Sequence, residues 1–275
     1  MRIRISASVI NFKDKAVRTW GLKEWEGIED KDQDLLFFGL YTQIDYDVFW
    51  RHQGKKSVFW CGGDLKRFVN NWEWQRIVKQ SSDTKHYVES KEQEEELKAL
   101  GIKSEVKPSF LEYMDDFPIS FVPSQSPHIW MCAHPEREEE YGVSIAERMA
   151  KKFPDYNFHV YGIDGESHDN FTYHGKVSEE QFNREIKKYH CGLRPNTQDG
   201  NSEVVMKSML LGQYPISRLP WEKVWQYEDE EQLIKLLAKL KTIKESNIKA
   251  RSYWIRNLND YPWCKKEFYN VQKDA

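Results

Sequence analysis

The sequence alternates regularly between short apolar runs and amphipathic, helix-like segments. Several of the runs end at a glycine, such as 34–39 (DLLFFG) and 157–162 (NFHVYG). Continuous apolar runs of this length are typical of strands buried on both faces, and such strands occur in parallel sheets. The pattern therefore predicts an α/β fold in which helices cover parallel sheets.

Two series of this kind follow one another along the chain. Strands are predicted at 34–40, 56–61, 86–88, 103–107, 128–133, 157–162, 171–175, 191–195 and 214–217. Helices are predicted at 46–52, 91–100, 141–153, 178–189, 202–211, 230–241 and 249–259. Ser90 and Ser178 are the expected N-caps of two of these helices.

A proline-rich stretch separates the two series. Residues 114–127 lack any sustained periodicity, which indicates a linker. We therefore expect a first domain at 1–117, a second at 118–246 and a C-terminal helical segment at 247–275. That segment is expected to return to the first domain through Trp254, Tyr261, Trp263 and Phe268. Ligands of open α/β sheets bind outside the carboxyl ends of the strands, so functional residues are expected in the loops there.

Composition excludes several classes of protein. Lys plus Arg (41) nearly balance Asp plus Glu (44), which offers no general attraction to nucleic acid. No apolar run approaches the roughly 20 residues of a membrane-spanning helix, and the start of the sequence lacks a secretion signal. The 4 cysteines are widely spaced, which favours reduced, mostly buried thiols in a cytoplasmic protein. The basic residues of 235–256 leave open a weak contact with a membrane surface.

The most informative segment is 193–217, where a strand ends, a polar loop follows and a helix begins near Ser202. The free backbone N–H groups at the start of that helix are a natural seat for a phosphate. Asp199 lies in the loop, and Lys207 follows eight positions later in the helix. From the residues alone, an ordinary Asp-Gly turn before a capped helix is an equally good interpretation.

This segment resembles the signature of retaining GT-B glycosyltransferases, particularly glycosyl transferase family 4. Asp199-Gly200 is similar to the acidic residue and Gly-rich loop that open the signature, and Gly212 with Pro215-Ile216 is similar to its end. The register puts Lys207 where the family has a Glu that holds the nucleotide ribose. Glu203, one helical turn earlier, could supply that contact, or the donor could be held differently.

Other passages extend the resemblance across about residues 86–217. Residues 170–182 are similar to the strand and His-Gly passage that precede the nucleotide-binding helix, and 103–110 to the last strand of the N-terminal domain. Residues 1–30 show no counterpart of the family's first glycine-rich turn, so a trimmed N-terminal domain is expected. The resemblance implies a GT-B fold, with two Rossmann-like domains facing a cleft.

The resemblance also implies roles at the donor site. Asp199 would face the transferred sugar as a catalytic residue. Arg194, helped by Lys176 or Arg137, would stabilise the departing diphosphate without a metal or other cofactor. The remaining donor-binding candidates are Gly200, Asn201, Ser202, Glu203 and Lys207. For Arg137, an ion pair with the neighbouring glutamates is the alternative.

A turn of two glycines and an acid follows the strand at 56–61. Gly62 and Gly63 would let an acceptor approach the backbone closely, and Asp64 could accept a hydrogen bond from a sugar as a second catalytic residue. The alternative is a tight turn that caps the helix at Leu65. An acceptor groove could also use the aromatic faces of Trp20, Trp25, Trp50, Trp60, Trp72 and Trp74, although core packing is the better interpretation for any single one.

Asp45-Tyr46-Asp47 has the Asp-x-Asp form of a metal-binding motif. Asp45 is, however, the expected N-cap of the helix that follows, and no metal site is predicted.

The leading hypothesis is a glycosyltransferase that moves a sugar from a nucleotide-sugar to an acceptor, with retention. Its acceptor could be a glycan, a lipid, a protein or a nucleic acid. The alternative, motivated by Lys207, is a non-catalytic GT-B-like protein that binds a glycan or a nucleotide.

Overall fold

The computed structural model describes residues 1–197, 199–258 and 261–263. The chain forms two compact units: unit 1 comprises Met1–Tyr113 with the chain from Asn257 onward, and unit 2 comprises Met114–Arg256. Each unit contains a six-stranded sheet, and all strand pairs in both sheets are parallel. The predicted α/β class is confirmed.

Unit 1 has the sheet order β2-β1-β3-β4-β5-β6. Its strands are β1 (Arg2–Ile5), β2 (Lys23–Glu24), β3 (Leu35–Phe38), β4 (Lys56–Trp60), β5 (Lys85–Val88) and β6 (Ser104–Val106). Its helices are α1 (Lys13–Trp20), α2 (Gln43–Arg51), α3 (Gly63–Val69), α4 (Trp72–Lys79) and α5 (Lys91–Ala99). Short 3-10 helices occur at Ala7–Phe12 and Ile28–Asp30.

The apolar run of β3 explains why this sheet is covered on both faces. Leu35 and Phe37 belong to one hydrophobic cluster, and Leu36 and Phe38 belong to another. Successive strand residues point to opposite faces, so an uninterrupted apolar run requires helices on each side.

Unit 2 has the sheet order β12-β11-β10-β7-β8-β9. Its strands are β7 (His128–Cys132), β8 (Asn157–Tyr161), β9 (Phe171–Tyr173), β10 (Cys191–Arg194), β11 (Ile216–Ser217) and β12 (Trp225–Gln226). Its helices are α6 (Glu138–Tyr141), α7 (Val143–Lys152), α8 (Glu179–Ile186), α9 (Glu203–Leu210), α10 (Glu230–Leu240) and α11 (Ile248–Leu258), the last of which ends in unit 1. The strand order reverses between β7 and β10, and such a reversal opens a crevice at the carboxyl edge of a sheet.

The proline-rich stretch, residues 114–127, lies within unit 2 and packs beside its helix α9. After a 3-10 helix at Met114–Asp116, Phe117 is fully buried and Phe121 is nearly so. The backbone N–H groups of Ser120 and Phe121 both donate to the carbonyl of Leu211, at distances of 3.1 and 3.3 Å. Phe117 and Phe121 therefore anchor this stretch beside the end of α9.

The chain returns to unit 1 at its C-terminal side. The Tyr261 hydroxyl accepts a hydrogen bond from the Phe110 N–H at 2.9 Å and donates to the Pro108 carbonyl. Trp263 packs on Trp20 within the unit 1 core. Trp254 does not take part in this return: it lies in unit 2, where its Nε1 donates to the Glu222 carbonyl at 3.1 Å. Phe268 lies outside the described residues.

Among the described residues, no helix combines the length and apolar character that a bilayer crossing requires. Cys61, Cys132 and Cys191 are free thiols, whereas Cys264 lies outside the described residues.

Candidate functional site

The loop that joins β10 to α9 lies at the crevice of the unit 2 sheet. β10 is buried along its length and ends at Arg194, and α9 begins after Ser202. The Ser202 hydroxyl accepts from the Val205 N–H at 3.3 Å, so Ser202 is the N-cap and the helix start is well defined. Seven of the eight α9 residues are buried, which fixes the direction of the helix.

Arg194 and Asp199 form an ion pair inside this loop. The Arg194 Nε donates to Asp199 Oδ2 at 2.7 Å, and the two side chains are only 10% and 14% exposed. The guanidinium also lies 4.7 Å above the ring of Tyr141. Burial opposes the charge of Arg194, but the attraction of Asp199 outweighs it and raises the pKa of the guanidinium. The arrangement places a permanent cation and an oriented carboxylate beside the start of α9.

A close backbone approach brings Tyr141 to Arg194. Gly142 separates α6 from α7 with a φ of 70°, and a Cβ there would lie 2.5 Å from Cβ of Pro195. Only glycine tolerates both the left-handed backbone and this contact.

Lys207 is buried on α9 rather than presented to solvent. Its side chain is 2% exposed, and its Nζ lies 3.1 Å from Asn183 Oδ1 of α8. The rings of Phe182 and Phe117 lie 4.9 and 5.5 Å from the ammonium. Glu203 is 3.7 Å away and its own side chain is 51% exposed, so the expected contact between Glu203 and Lys207 is present. Of the two, only the carboxylate faces solvent.

The other predicted donor residues fall into two groups. Gly200, Asn201 and Ser202 lie in the loop beside Asp199. Lys176 is exposed after β9, and Arg137 is exposed in the loop after β7. Arg137 binds Glu140 through both Nε and Nη2, which raises the pKa of its guanidinium. For Arg137 the structure therefore shows the alternative, an ion pair with a neighbouring glutamate.

Asp64 holds a turn and is not presented to a ligand. It is fully buried, and its carboxylate accepts from the N–H groups of Leu40, Cys61 and Leu65 at 3.1, 2.9 and 2.9 Å. Burial raises its pKa to about 6. The expectation that Asp64 contacts a sugar needs correction, because its oxygens are already satisfied by the backbone. Gly62, with a φ of 91°, and Gly63 remain at the carboxyl end of β4, and Gly63 lies close to the Tyr41 ring.

Asp45 and most of the tryptophans are also structural. The prediction that Asp45 is the N-cap is wrong, because Thr42 is the N-cap of α2 and Asp45 is the third helical residue of the capping box. The Asp45 carboxylate also accepts from Arg4 and Ser6. Trp20 and Trp60 are fully buried, whereas Trp50 and Trp72 are 53% and 67% exposed. Within the described residues, no group of three or more His, Cys, Asp or Glu side chains could hold a metal ion.

Sequence reasoning missed several residues around the loop. Tyr141 contacts Arg194 of the loop, whereas Asn183 and Phe117 contact Lys207 of α9. No local pattern marks these three residues. Asn196 lies in the loop itself and is 2% exposed, and its Oδ1 has no hydrogen-bond partner among the described residues. A buried acceptor of this kind is usually satisfied by a water or a ligand.

Solved structures share this architecture. The lipopolysaccharide outer core galactosyltransferase WaaB gives a TM-score of 0.58 at 11% identity, over 94% of this chain and 78% of that one. Sucrose-phosphate synthase from Thermosynechococcus elongatus gives a TM-score of 0.57 at 12% identity, over 93% of this chain and 74% of that one. The pneumococcal O-GlcNAc transferase GtfA, in complex with UDP and GlcNAc, gives a TM-score of 0.56 at 14% identity, over 86% of this chain and 55% of that one. The chain has the GT-B fold.

Units 1 and 2 are the two Rossmann-like domains of that fold, which confirms the predicted pair. At such low identities the likeness concerns the fold alone. The chain spans 51–55% of the length of several of the similar structures, so the comparison covers only part of those proteins. No family model and no curated protein matches the sequence.

Proposed function

We propose that this chain is a glycosyltransferase that takes its sugar from a nucleotide-sugar, with retention, and that it is related to glycosyl transferase family 4. The observation that carries the proposal is the Arg194–Asp199 pair in the loop that opens α9. This pair lies where the strand order of the unit 2 sheet reverses, which is where α/β sheets bind their ligands. The GT-B fold, shared with a galactosyltransferase and an O-GlcNAc transferase, supports it.

The donor diphosphate would be held by Arg194 and the first turn of α9. The Arg194 Nε is occupied by Asp199, but its Nη groups make no hydrogen bond within the described part of the chain. Arg194 can therefore bind phosphate oxygens and orient Asp199 at once. The helix N–H groups, with Gly200, Asn201 and Ser202, would complete the seat. Lys176 is a second cation, and no metal would be required.

The nucleotide ribose would contact Glu203. Its carboxylate is half exposed in the first turn of α9, whereas Lys207 is enclosed by Asn183 and two aromatic rings. In this proposal Lys207 supports α9 and Glu203 performs the contact that the family assigns to the Glu at position 207. Asp199 would then face the transferred sugar as the catalytic carboxylate.

The acceptor would bind at the carboxyl edge of the unit 1 sheet. Gly63 lies there beside Tyr41 and Gly62 lies beside Gln93, and neither glycine has a side chain to cover the backbone. Glycan, lipid, protein and nucleic-acid acceptors are compatible with this surface.

Calorimetric titration with UDP-, GDP- and ADP-sugars tests the proposal, followed by an assay for release of the nucleoside diphosphate. Arg194→Ala should weaken binding of the preferred nucleotide by roughly ten- to a hundredfold, because a charge-assisted contact in a partly buried site is lost. Arg148→Ala is the matched control, since Arg148 is an exposed arginine on α7 paired with Glu230. Equal affinity in a folded Arg194→Ala protein would remove Arg194 from the site.

The presence of Lys207 favours a second candidate function, that of a non-catalytic protein with the GT-B fold. The enclosed ammonium replaces a carboxylate that the family uses, so donor binding could be weakened or lost. Nucleotide binding without turnover, or no heat with any donor, would favour this candidate over the enzyme.

A further inference from the structure

A continuous chain of imidazole rings crosses one face of the unit 2 sheet. The Nδ1 of His128 (β7) lies 2.8 Å from Nε2 of His159 (β8), and Nδ1 of His159 lies 3.0 Å from Nε2 of His174, just after β9. The ring centres are 5.1 and 5.2 Å apart, so the rings meet edge to edge through their nitrogens. Nδ1 of His174 lies 3.7 Å from Oε2 of Glu185 on α8.

The nitrogens of this imidazole chain have a consistent hydrogen pattern when all three rings are neutral. With Glu185 ionised at one end, each Nδ1 carries the hydrogen and each following Nε2 accepts it. Each link has room for one hydrogen. Two adjacent rings that are both protonated would turn N–H against N–H, which breaks the link and places like charges side by side.

The surroundings also favour the neutral rings. Tyr189 stacks on His159 and Tyr161 stacks on His174, each at 4.3 Å, and the Tyr161 hydroxyl contacts both Glu185 and Tyr189 at 2.7 Å. His190 stacks near the His128 ring, and its Nδ1 accepts a hydrogen bond from the backbone N–H of His128 at 2.9 Å. Glu185 is the only carboxylate among these facing groups, and the rest are tyrosines and His190.

Burial lowers the pKa of every histidine in this group. The pKa of His159 falls to about 3 and that of His190 to about 4, and those of His128 and His174 are lowered as well. In the unfolded chain a histidine has a pKa near 6.5. Below that pH these histidines bind more protons in the unfolded chain than in the native one. Their contribution to the free energy of unfolding is therefore constant above about pH 7 and falls as the pH drops.

We propose that the imidazole chain is an acid-sensitive latch, which holds α8 on the sheet while its rings are neutral and releases it when they are protonated. Glu185 and the tyrosine contacts attach the latch to α8. The same helix carries Asn183, which binds Lys207 of α9. Release of α8 therefore also removes a contact of the helix that opens the candidate donor site. The latch itself does not depend on the proposed activity.

Hydrogen exchange at about pH 8 and about pH 5 tests the latch, together with urea unfolding of the full chain. His159→Phe removes both links while keeping an aromatic ring against Tyr189, and His159→Gln serves as a second variant with a smaller polar side chain. His168→Gln is the control, because His168 is an exposed histidine of unit 2 outside the imidazole chain. In the wild type, the amides of α8 should lose protection at the lower pH before those of β7 and β8.

As the pH is lowered, the unfolding equilibrium constant of the wild type should increase more steeply than that of either His159 variant. With a native pKa of about 3, His159 alone should increase the unfolding equilibrium constant about thirtyfold between neutral pH and about pH 5. We expect the acid-induced increase in the unfolding equilibrium constant to be at least about tenfold smaller in the His159 variants. The His168 variant should behave like the wild type. The same acid response in all four proteins, or loss of α8 protection together with the sheet, would overturn the latch.

Discussion

Asp64 organises three separate backbone segments through one carboxylate. Its oxygens accept from Leu40, Cys61 and Leu65, which lie after β3, after β4 and at the start of α3. Such a group can resemble a reactive acid, since burial raises its pKa to about 6. The native pKa lies above the unfolded value, so the ionised carboxylate lowers stability as the pH rises from about 4 to about 6.

We expect Asp64→Ala to destabilise the protein by at least about 2 kcal/mol, because it leaves buried N–H donors without acceptors. The substitution should also flatten the dependence of stability on pH in that window. Urea unfolding at several pH values measures both effects. Asp47→Ala is the control, since Asp47 lies on the exposed side of α2. A folded Asp64→Ala protein of normal stability that had lost acceptor binding would restore Asp64 to the site.

Glu203 and Lys207 differ in what each side chain can reach. Glu203→Gln should weaken nucleotide binding while the unfolding midpoint stays unchanged, because the Glu203 side chain is 51% exposed. Lys207→Ala should mainly destabilise, by about 2 kcal/mol or more, because it leaves a cavity between Phe117 and Phe182. Calorimetry and thermal unfolding on the two variants separate these effects. A stability loss in Glu203→Gln with unchanged affinity would argue against the ribose contact.

At the level of elements, the joint between α6 and α7 packs against Pro195, the residue that follows Arg194. Gly142→Ala should destabilise by about 1–3 kcal/mol, because it strains a left-handed backbone and pushes on Pro195. It should also weaken nucleotide binding, since Tyr141 and Pro195 move with the joint. Gly101→Ala is the control for backbone strain alone, because Gly101 has a φ of 77° and an added Cβ there would meet nothing within 4 Å. Equal losses in both variants would mean that contact with Pro195 is unimportant.

The apolar strands could be predicted closely from the sequence. The run at 56–61 becomes β4 (Lys56–Trp60), and the run at 191–195 becomes β10 (Cys191–Arg194). β1 (Arg2–Ile5) was missed because arginines interrupt its apolar residues, and those arginines are paired with Asp30 and Asp45 from distant positions. Helix α3 agrees with the alternative of a tight turn before a helix at Leu65. Helix α4 has no counterpart among the predicted helices, because Asn71 starts it without a long periodic pattern.

The candidate site was only partly predictable for a related reason. The loop from Arg194 to Ser202 is continuous in sequence, so its polar residues and the helix start were visible. The ring of Tyr141, the amide of Asn183 and the docking of Phe117 are contacts between elements. Such contacts follow from packing, which no local pattern records.

At the level of the whole molecule, the two units differ in continuity. Unit 2 is a single stretch, Met114–Arg256, whereas unit 1 combines residues that precede this stretch with residues that follow it. A fragment of residues 114–256 should fold cooperatively alone, whereas a fragment starting at residue 118 should be less stable because it lacks buried Phe117. Thermal unfolding with near-ultraviolet circular dichroism compares the two. Equal stability of both fragments would show that Phe117 contributes nothing.

The Tyr261 hydroxyl, held between the Phe110 amide and the Pro108 carbonyl, has a consequence for synthesis on the ribosome. The strands of unit 1 are made first, but the aromatic residues that cover Trp20 and Tyr87 emerge only after all of unit 2. Until then, the nascent first unit presents an uncovered aromatic surface to the cell. The order of emergence therefore makes unit 2 the first to be completed, and we expect the nascent unit 1 to be the more prone to aggregation until residues 261–263 have emerged.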